Sequence, residues 1–276
     1  MDALRLVATW PVGRVAAGVV DGAGDKRVQG ESSARFAWAS VTKMATALAA
    51  LVACEEGSIA LDDVVLPSAA TVRHLLAHAS GLAPEGPPRQ LAGVGTRRIY
   101  SNAGFELLGS IISERSGITF ERYLSGAVLV PLGMEATRLE GSPAAGLVGS
   151  LEDLVVLAAE LISPTLIARS TLEEATAVAF PGLDGVLPGF GPQHPCDWGL
   201  GFELRDAKSP HWTSPACSAR TFGHFGRSGS FLWVDPDRAL ALAALSDREF
   251  GDWAKQAWPA LGAAVVAEWD GLRSPR

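Results

Sequence analysis

The stretch "ASVTKMATALAALVAC" (residues 39–54) is almost wholly apolar, yet it holds one of the chain's four lysines, Lys43, three residues after Ser40. Val41, Met44, Ala45, Leu48, Leu51 and Val52 recur at three- and four-residue spacing, the period of a helix, and Gly57 ends the run. The pattern predicts a buried helix with Ser40 at its head. Positions i and i+3 share a helix face, which puts the Ser40 hydroxyl and the Lys43 amine within hydrogen-bond reach. An ammonium among Val, Met, Ala and Leu is costly to bury unless it is paired or neutralised. Two outcomes are therefore open for Lys43. It can snorkel to the surface on its methylene stem, or it can sit in a pocket that lowers its pKa and lets it help remove the serine's proton.

Outward from this helix, "RVAAGVVDGAGDKRVQG" (14–30) reads as two short strands joined through "DGAGD". The middle of the chain is helical in pattern. It holds "TVRHLLAHAS", "AGFELLGSIISERSG" stopped by Gly117, "TFERYLSGAVLVPLG", and "SLEDLVVLAAELI" behind Ser150 as N-cap. A Gly- and Pro-dense stretch, "FPGLDGVLPGFGPQHPCDWG" (180–199), separates it from the strand-like segments "GLGFELRD", "RTFGHFGRSG", "SFLWVDP" and "RALALAALSD" and from a closing helix that begins near Asp252. A hairpin alone is too small to be stable, so the N-terminal strands are expected to pair with the C-terminal ones. The fold class is α+β. An antiparallel sheet subdomain is expected from residues 1–38 and 196–276, with a mostly helical subdomain, 39–195, inserted into it.

Composition narrows the partners. The 276 residues are 48% apolar and 19% charged, with a net charge of -7, and no Lys/Arg-rich run offers a phosphate track, so nucleic acid is not an expected partner. No apolar run approaches the ~18 residues of a membrane span. Asp2, Pro11, Gly13 and Arg14 break up the N-terminus, leaving no secretory core segment, and a cytoplasmic location is expected. Three widely spaced cysteines without a C-x-x-C pattern argue against a disulfide framework or a zinc site. His74 and His78 in "HLLAH" lack the glutamate of a zinc-peptidase motif. No metal and no cofactor are expected.

Two further stretches carry polar groups in telling places. In "TRRIYSNAGFELLGS", Tyr100 is one of two tyrosines, and Asn102 stands where it can cap the helix that follows. A tyrosine at a helix mouth near cations can become a phenolate and act as a base. In "TFGHFGRSGSFLWVDP" (221–236), His224 lies between Gly223 and Phe225 in a Gly-rich strand of the kind that lets a ligand approach closely. Its N–H groups can supply half of an oxyanion hole.

Ser-x-x-Lys, Tyr-x-Asn and a basic residue before x-Gly, in this order, resemble the serine β-lactamase and penicillin-binding-protein family. The closest likeness is to the branch of class C β-lactamases, D-alanyl-D-alanine carboxypeptidases and family VIII carboxylesterases. "TVRHLLAHASGL" (71–82) and "GTRRIYSNAGFELLG" (95–109) are similar to two framework segments of that branch, and the likeness runs over roughly residues 15 to 260. The resemblance implies a β-lactamase/transpeptidase-like fold with Ser40 as the acylated nucleophile, Lys43 as its proton partner and Tyr100 as general base. Asn102 would orient the substrate and Lys43. His224 and Gly226 fall on the family's Lys-Thr-Gly strand, and the backbone N–H groups of Ser40 and Arg227 would form the oxyanion hole.

The pattern departs from the family at Phe225, where a hydroxyl residue normally helps to bind a substrate carboxylate, and at His224, whose charge would change near pH ~6.5. A carboxylate would have to rely on His224, Arg227 or Ser228. Both changes favour an esterase of small acyl esters, and the compact chain suggests an open site. A β-lactamase or D-Ala-D-Ala carboxypeptidase is the alternative within the fold, and a binding protein without turnover is a third. The G-x-S-x-G elbow of an α/β-hydrolase is absent. The expected partner is a small-molecule ester or amide. His194, His211, Trp198 and Trp212 fall in or near the loop before the last strands, where they could line the pocket, and packing is the expected role of each.

Overall fold

Asp21 turns the N-terminal hairpin. Its carboxylate accepts the N–H groups of Ala23 and Asp25 at 2.8 and 3.0 Å, joining β1 (Val15–Asp21) to β2 (Lys26–Gly30). The computed structural model describes residues 1–273 and continues through β3 (Phe36–Ala37) and a 3-10 turn at Ala39–Val41 into α1 (Thr42–Glu55). There follow α2 (Val72–Leu76), α3 (Asn102–Ser116) and α4 (Phe120–Leu124). Helices α3 and α4 pack on α1, and α2 on α3. Strands β4 (Arg138–Leu139) and β5 (Leu147–Gly149) join β3 in a small second sheet. Ser150 caps α5 (Leu151–Ile162), as the sequence predicts, its Oγ accepting the Asp153 N–H at 3.1 Å.

The sequence reading assigns no element to residues 163–179 and treats 180–199 only as a connector. The structure forms α6 (Arg169–Ala175) and a hairpin of β6 (Gly185–Leu187) and β7 (Gly191–Gln193) there. The chain then runs through β8 (Glu203–Leu204), β9 (Phe222–Gly226), β10 (Ser230–Asp235) and β11 (Leu240–Ser246) to α7 (Asp252–Arg273). A 3-10 helix at Asp2–Thr9, which the sequence reading does not foresee, packs on α7.

The main sheet has the order β2-β1-β11-β10-β9-β8, all neighbours antiparallel, so the two ends of the chain meet between β1 and β11 as expected. Successive side chains on β11 point to opposite faces. Ala241, Ala243 and Leu245 join the core around α1 and α5, whereas Leu240, Leu242 and Ala244 join Leu4, Val7, Trp258, Leu261 and Val265 beneath α7. Burial on both faces explains why the final strand reads as an unbroken apolar run rather than an alternating one. Helix α1 is buried from Thr42 to Ala53, which fits a central helix rather than one with a polar face. Among the described residues no helix is long and apolar enough to cross a membrane.

Leu48 lies in the middle of α1 and is fully buried. Leu48→Ala is expected to lower the unfolding free energy by about 3 kcal/mol through lost transfer energy and a residual cavity, a loss that urea denaturation measures directly.

Candidate active site

Ser40 stands at the turn that feeds α1. Ala39 before it has φ +44°, in the left-handed region that non-glycine residues rarely adopt, and the helix proper starts at Thr42 rather than at Ser40. The β9–β10 turn clamps this segment. Ser230 Oγ donates to Trp38 O and Ser228 Oγ to Ala37 O, each at 2.7 Å. Gly226 permits the approach, because a Cβ there would lie 2.5 Å from Trp38 O and 3.0 Å from the Ala39 Cβ.

Lys43 does not snorkel: it is fully buried. Its Nζ donates to Asn102 Oδ1 at 2.5 Å, to Ala144 O at 2.8 Å and to Ser40 Oγ at 3.3 Å, so three donors meet three acceptors. Burial brings its pKa down to about 7, with Glu85 and Glu106 pulling the other way. Near neutral pH the amine is present both charged and free.

Tyr100 Oη donates to Ser40 Oγ at 2.8 Å. Its environment corrects the expectation of a phenolate. Burial disfavours the anion and pushes the phenol well above its usual range, so the resting side chain is a neutral donor. Asn102 is not the cap of α3. Ser101 takes that position, its Oγ accepting the Gly104 N–H at 3.0 Å. Asn102 is thereby free to turn Oδ1 to Lys43 and to donate from Nδ2 to Glu85 Oε1 at 2.5 Å.

His224 also differs from expectation. The ring is buried, its Nδ1 lies 2.7 Å from Phe225 O, and its Nε2 has no hydrogen-bond partner among the described residues. The carbonyl fixes the proton on Nδ1. Desolvation, followed by the nearby Lys43 charge, lowers its pKa to about 3, and the residue is a neutral wall of the site rather than a pH-dependent cation. The Arg227 side chain is exposed and lies 3.5 Å from Glu249, while its backbone carbonyl accepts the Phe250 N–H at 2.8 Å.

These residues border one cavity of about 460 Å³. Ser40, Tyr100, Asn102 and Glu85 contribute its polar part, Arg227 and His224 flank them, and Leu187, Pro188, Trp198, Phe225 and Phe250 supply apolar walls. Gly226 borders the nucleophile's turn through backbone contact. Glu85, Phe250 and the β6–β7 hairpin were not singled out from the sequence, since nothing local marks them. Trp198, assigned to packing, lines the cavity as well. His78 accepts the Ser101 N–H at 3.1 Å, and His74 Nδ1 accepts that of Thr71 at 3.2 Å, which makes both framework residues. His194 is exposed and lies 3.1 Å from Asp184.

Glu203, which also lines the cavity, centres a buried ionic cluster. Glu203 accepts from Lys208 Nζ at 2.6 Å, from Trp212 Nε1 at 2.8 Å and pairs with His211 Nε2 at 2.8 Å. Lys208 also donates to Asp197 O and Leu204 O. These partners outweigh burial and hold the Glu203 carboxyl down at about 2. The available sequence signal was a second lysine among so few. Among the described residues no three His, Cys, Asp or Glu side chains gather as a metal site.

Comparison with known proteins identifies the family and the fold. The Beta-lactamase family model matches residues 7–267. A crystal structure described as a β-lactamase from Mycobacterium bovis is 52% identical, with a TM-score of 0.95 over 97% of this chain and 99% of that one. Unliganded simvastatin synthase from Aspergillus terreus shares the fold at 16% identity, with a TM-score of 0.80 over 98% of this chain and 97% of that one. Penicillin-binding protein 4* of Bacillus subtilis is 28% identical over 142 residues, 40% of this chain, and the match spans only 31% of that curated relative's length. With a family model that matches nearly its whole length, the chain belongs to the Beta-lactamase family of serine hydrolases.

Proposed function

We propose that the protein hydrolyses small, largely apolar acyl esters through an acyl-enzyme on Ser40. The observation that carries this reading is the hydrogen-bonded set of Lys43, Ser40, Tyr100 and Asn102 opening onto a cavity whose substrate strand bears Phe225. Free Lys43 accepts the Ser40 proton as Oγ bonds to the ester carbonyl carbon. The developing oxyanion is received by the backbone N–H groups of Ser40 and Arg227. As the carbonyl–alkoxide bond breaks, Tyr100 gives its proton to the departing oxygen and recovers one from the Lys43 ammonium. Alcohol leaves, and the acyl group remains on Ser40. Water, deprotonated through the same pair, reverses these transfers and releases the acid. Asn102 holds Lys43 throughout.

The preference for esters rests on Phe225. Its ring lies 5.0 Å from that of Phe250 and 5.8 Å from that of Phe190, and it has no hydroxyl to offer a substrate carboxylate. Ser228 Oγ is committed to Ala37 O. A second reading, β-lactamase or D-Ala-D-Ala carboxypeptidase, is favoured by the 52% identical structure described as a β-lactamase.

Intact-protein mass spectrometry after incubation with p-nitrophenyl butyrate, a fluorophosphonate or penicillin G is the test. An acyl or phosphonyl adduct is expected on the wild type and absent from Ser40→Ala. Ester turnover without nitrocefin turnover supports the esterase, efficient nitrocefin turnover supports the second reading, and no adduct from any reagent on folded protein indicates a binding protein without turnover. Because free Lys43 is the active form, kcat/KM should rise with pH through about 7 and level off above it. Lys43→Met should remove that activity with the fold retained. Gly226→Ala should cost at least about 100-fold in kcat with an unchanged circular dichroism spectrum, since its Cβ separates β9 from the nucleophile's turn.

A further inference from the structure

One carboxylate lines the cleft with no ion-pair partner among the described residues, although its charge acts on the buried Lys43 beyond Asn102. Glu85 is exposed and lines the cavity with Ser40 and Asn102. Pro84 O anchors its loop to the start of α3 by accepting the Asn102 N–H at 2.8 Å. Glu85 Oε1 accepts from Asn102 Nδ2, and its other oxygen has no hydrogen-bond partner among the described residues. Three basic groups around the cavity have other partners, while Arg97 lines an adjoining hollow with Pro84 and Tyr100. Lys43 is enclosed by three acceptors beneath the nucleophile, Lys208 is enclosed by Glu203 and two carbonyls, and Arg227 lies against Glu249. His224 has Nδ1 on a carbonyl, and Phe225 beside it is apolar.

We propose that Glu85 sorts acyl donors by charge, favouring neutral and above all cationic acyl groups and disfavouring those that carry a carboxylate. The inference rests on the reading of Ser40 as the acylated nucleophile and adds a substrate class to it: esters of amine- or ammonium-bearing acids. In a cleft with apolar walls a fixed charge acts over several ångströms, so no direct contact is needed for discrimination, and a contact adds to it. Asn102 holds the carboxylate in place, so the charge is fixed before the substrate arrives. The same carboxylate opposes the carboxylate that penicillins and D-Ala-D-Ala peptides carry.

The test is kcat/KM for three p-nitrophenyl esters of similar length: the 4-(trimethylammonio)butanoate, the hexanoate and the adipate monoester. In the wild type the cationic ester should be favoured over the anionic one by about tenfold or more, expressed chiefly in KM. Glu85→Gln should bring that ratio close to one, and Glu85→Lys should invert it. An anionic ester that matches the cationic one in the wild type, or a ratio that neither variant changes, overturns the proposal while leaving Ser40 acylation by the hexanoate intact. Failure of the hexanoate to label Ser40 would instead remove the hydrolase reading, and this inference with it.

Discussion

The buried ammonium of Lys43 is the constraint on which the site depends. Taking a charge out of water is expensive, and the fold offsets that cost with acceptors drawn from three places: the turn before α1, the first residue of α3 and the loop before β5. Each acceptor is brought by different packing, so the lysine is satisfied only when all three pieces are in place. The offset is incomplete, as its depressed pKa shows. Because the unfolded chain binds this proton more tightly, the penalty is full below pH 7, shrinks as pH rises and is gone above the ordinary value of 10.5. A chemically useful free amine and a cost to stability are two aspects of the same burial.

Around that lysine the structure separates two kinds of charge. Glu203, Lys208, His211 and Trp212 form a buried group in which the carboxylate is partnered on both oxygens, and Glu203 forms part of the cavity wall with Trp198. Glu85, exposed where it lines the same cavity, keeps one oxygen uncommitted among the described residues. The first is a structural group whose charge is balanced by its own partners. The second meets whatever enters. His224, enclosed by aromatic rings at 5.5 Å from Trp198 and 5.8 Å from Tyr100, contributes shape rather than charge.

Much of this was legible in the residues. The helical period placed Ser40 and Lys43 together, and the turn at Asp21 together with the strand-like C-terminus predicted a sheet built from both ends of the chain. What failed depended on neighbours distant in sequence. Asn102 looked like a cap because Asn often is one, but Ser101 competes for the same N–H and wins, which releases the amide for Lys43. His224 looked titratable because its burial is set by Trp198 and Tyr100, neither adjacent to it. Glu85 and the hairpin at 185–193 sit in Gly- and Pro-rich loops whose direction no local pattern encodes.

The distribution of lysines has a practical side. Lys43 and Lys208 are enclosed, whereas Lys26 lies exposed on the edge strand β2 and Lys255 on α7. An exposed, charged edge strand discourages pairing with another chain. It also means that amine-directed coupling to a solid support or a dye reaches the folded protein at Lys26 and Lys255, together with any free chain terminus, and spares the amine beside Ser40. The reactive lysine is shielded from the very reagents to which its low pKa would otherwise expose it.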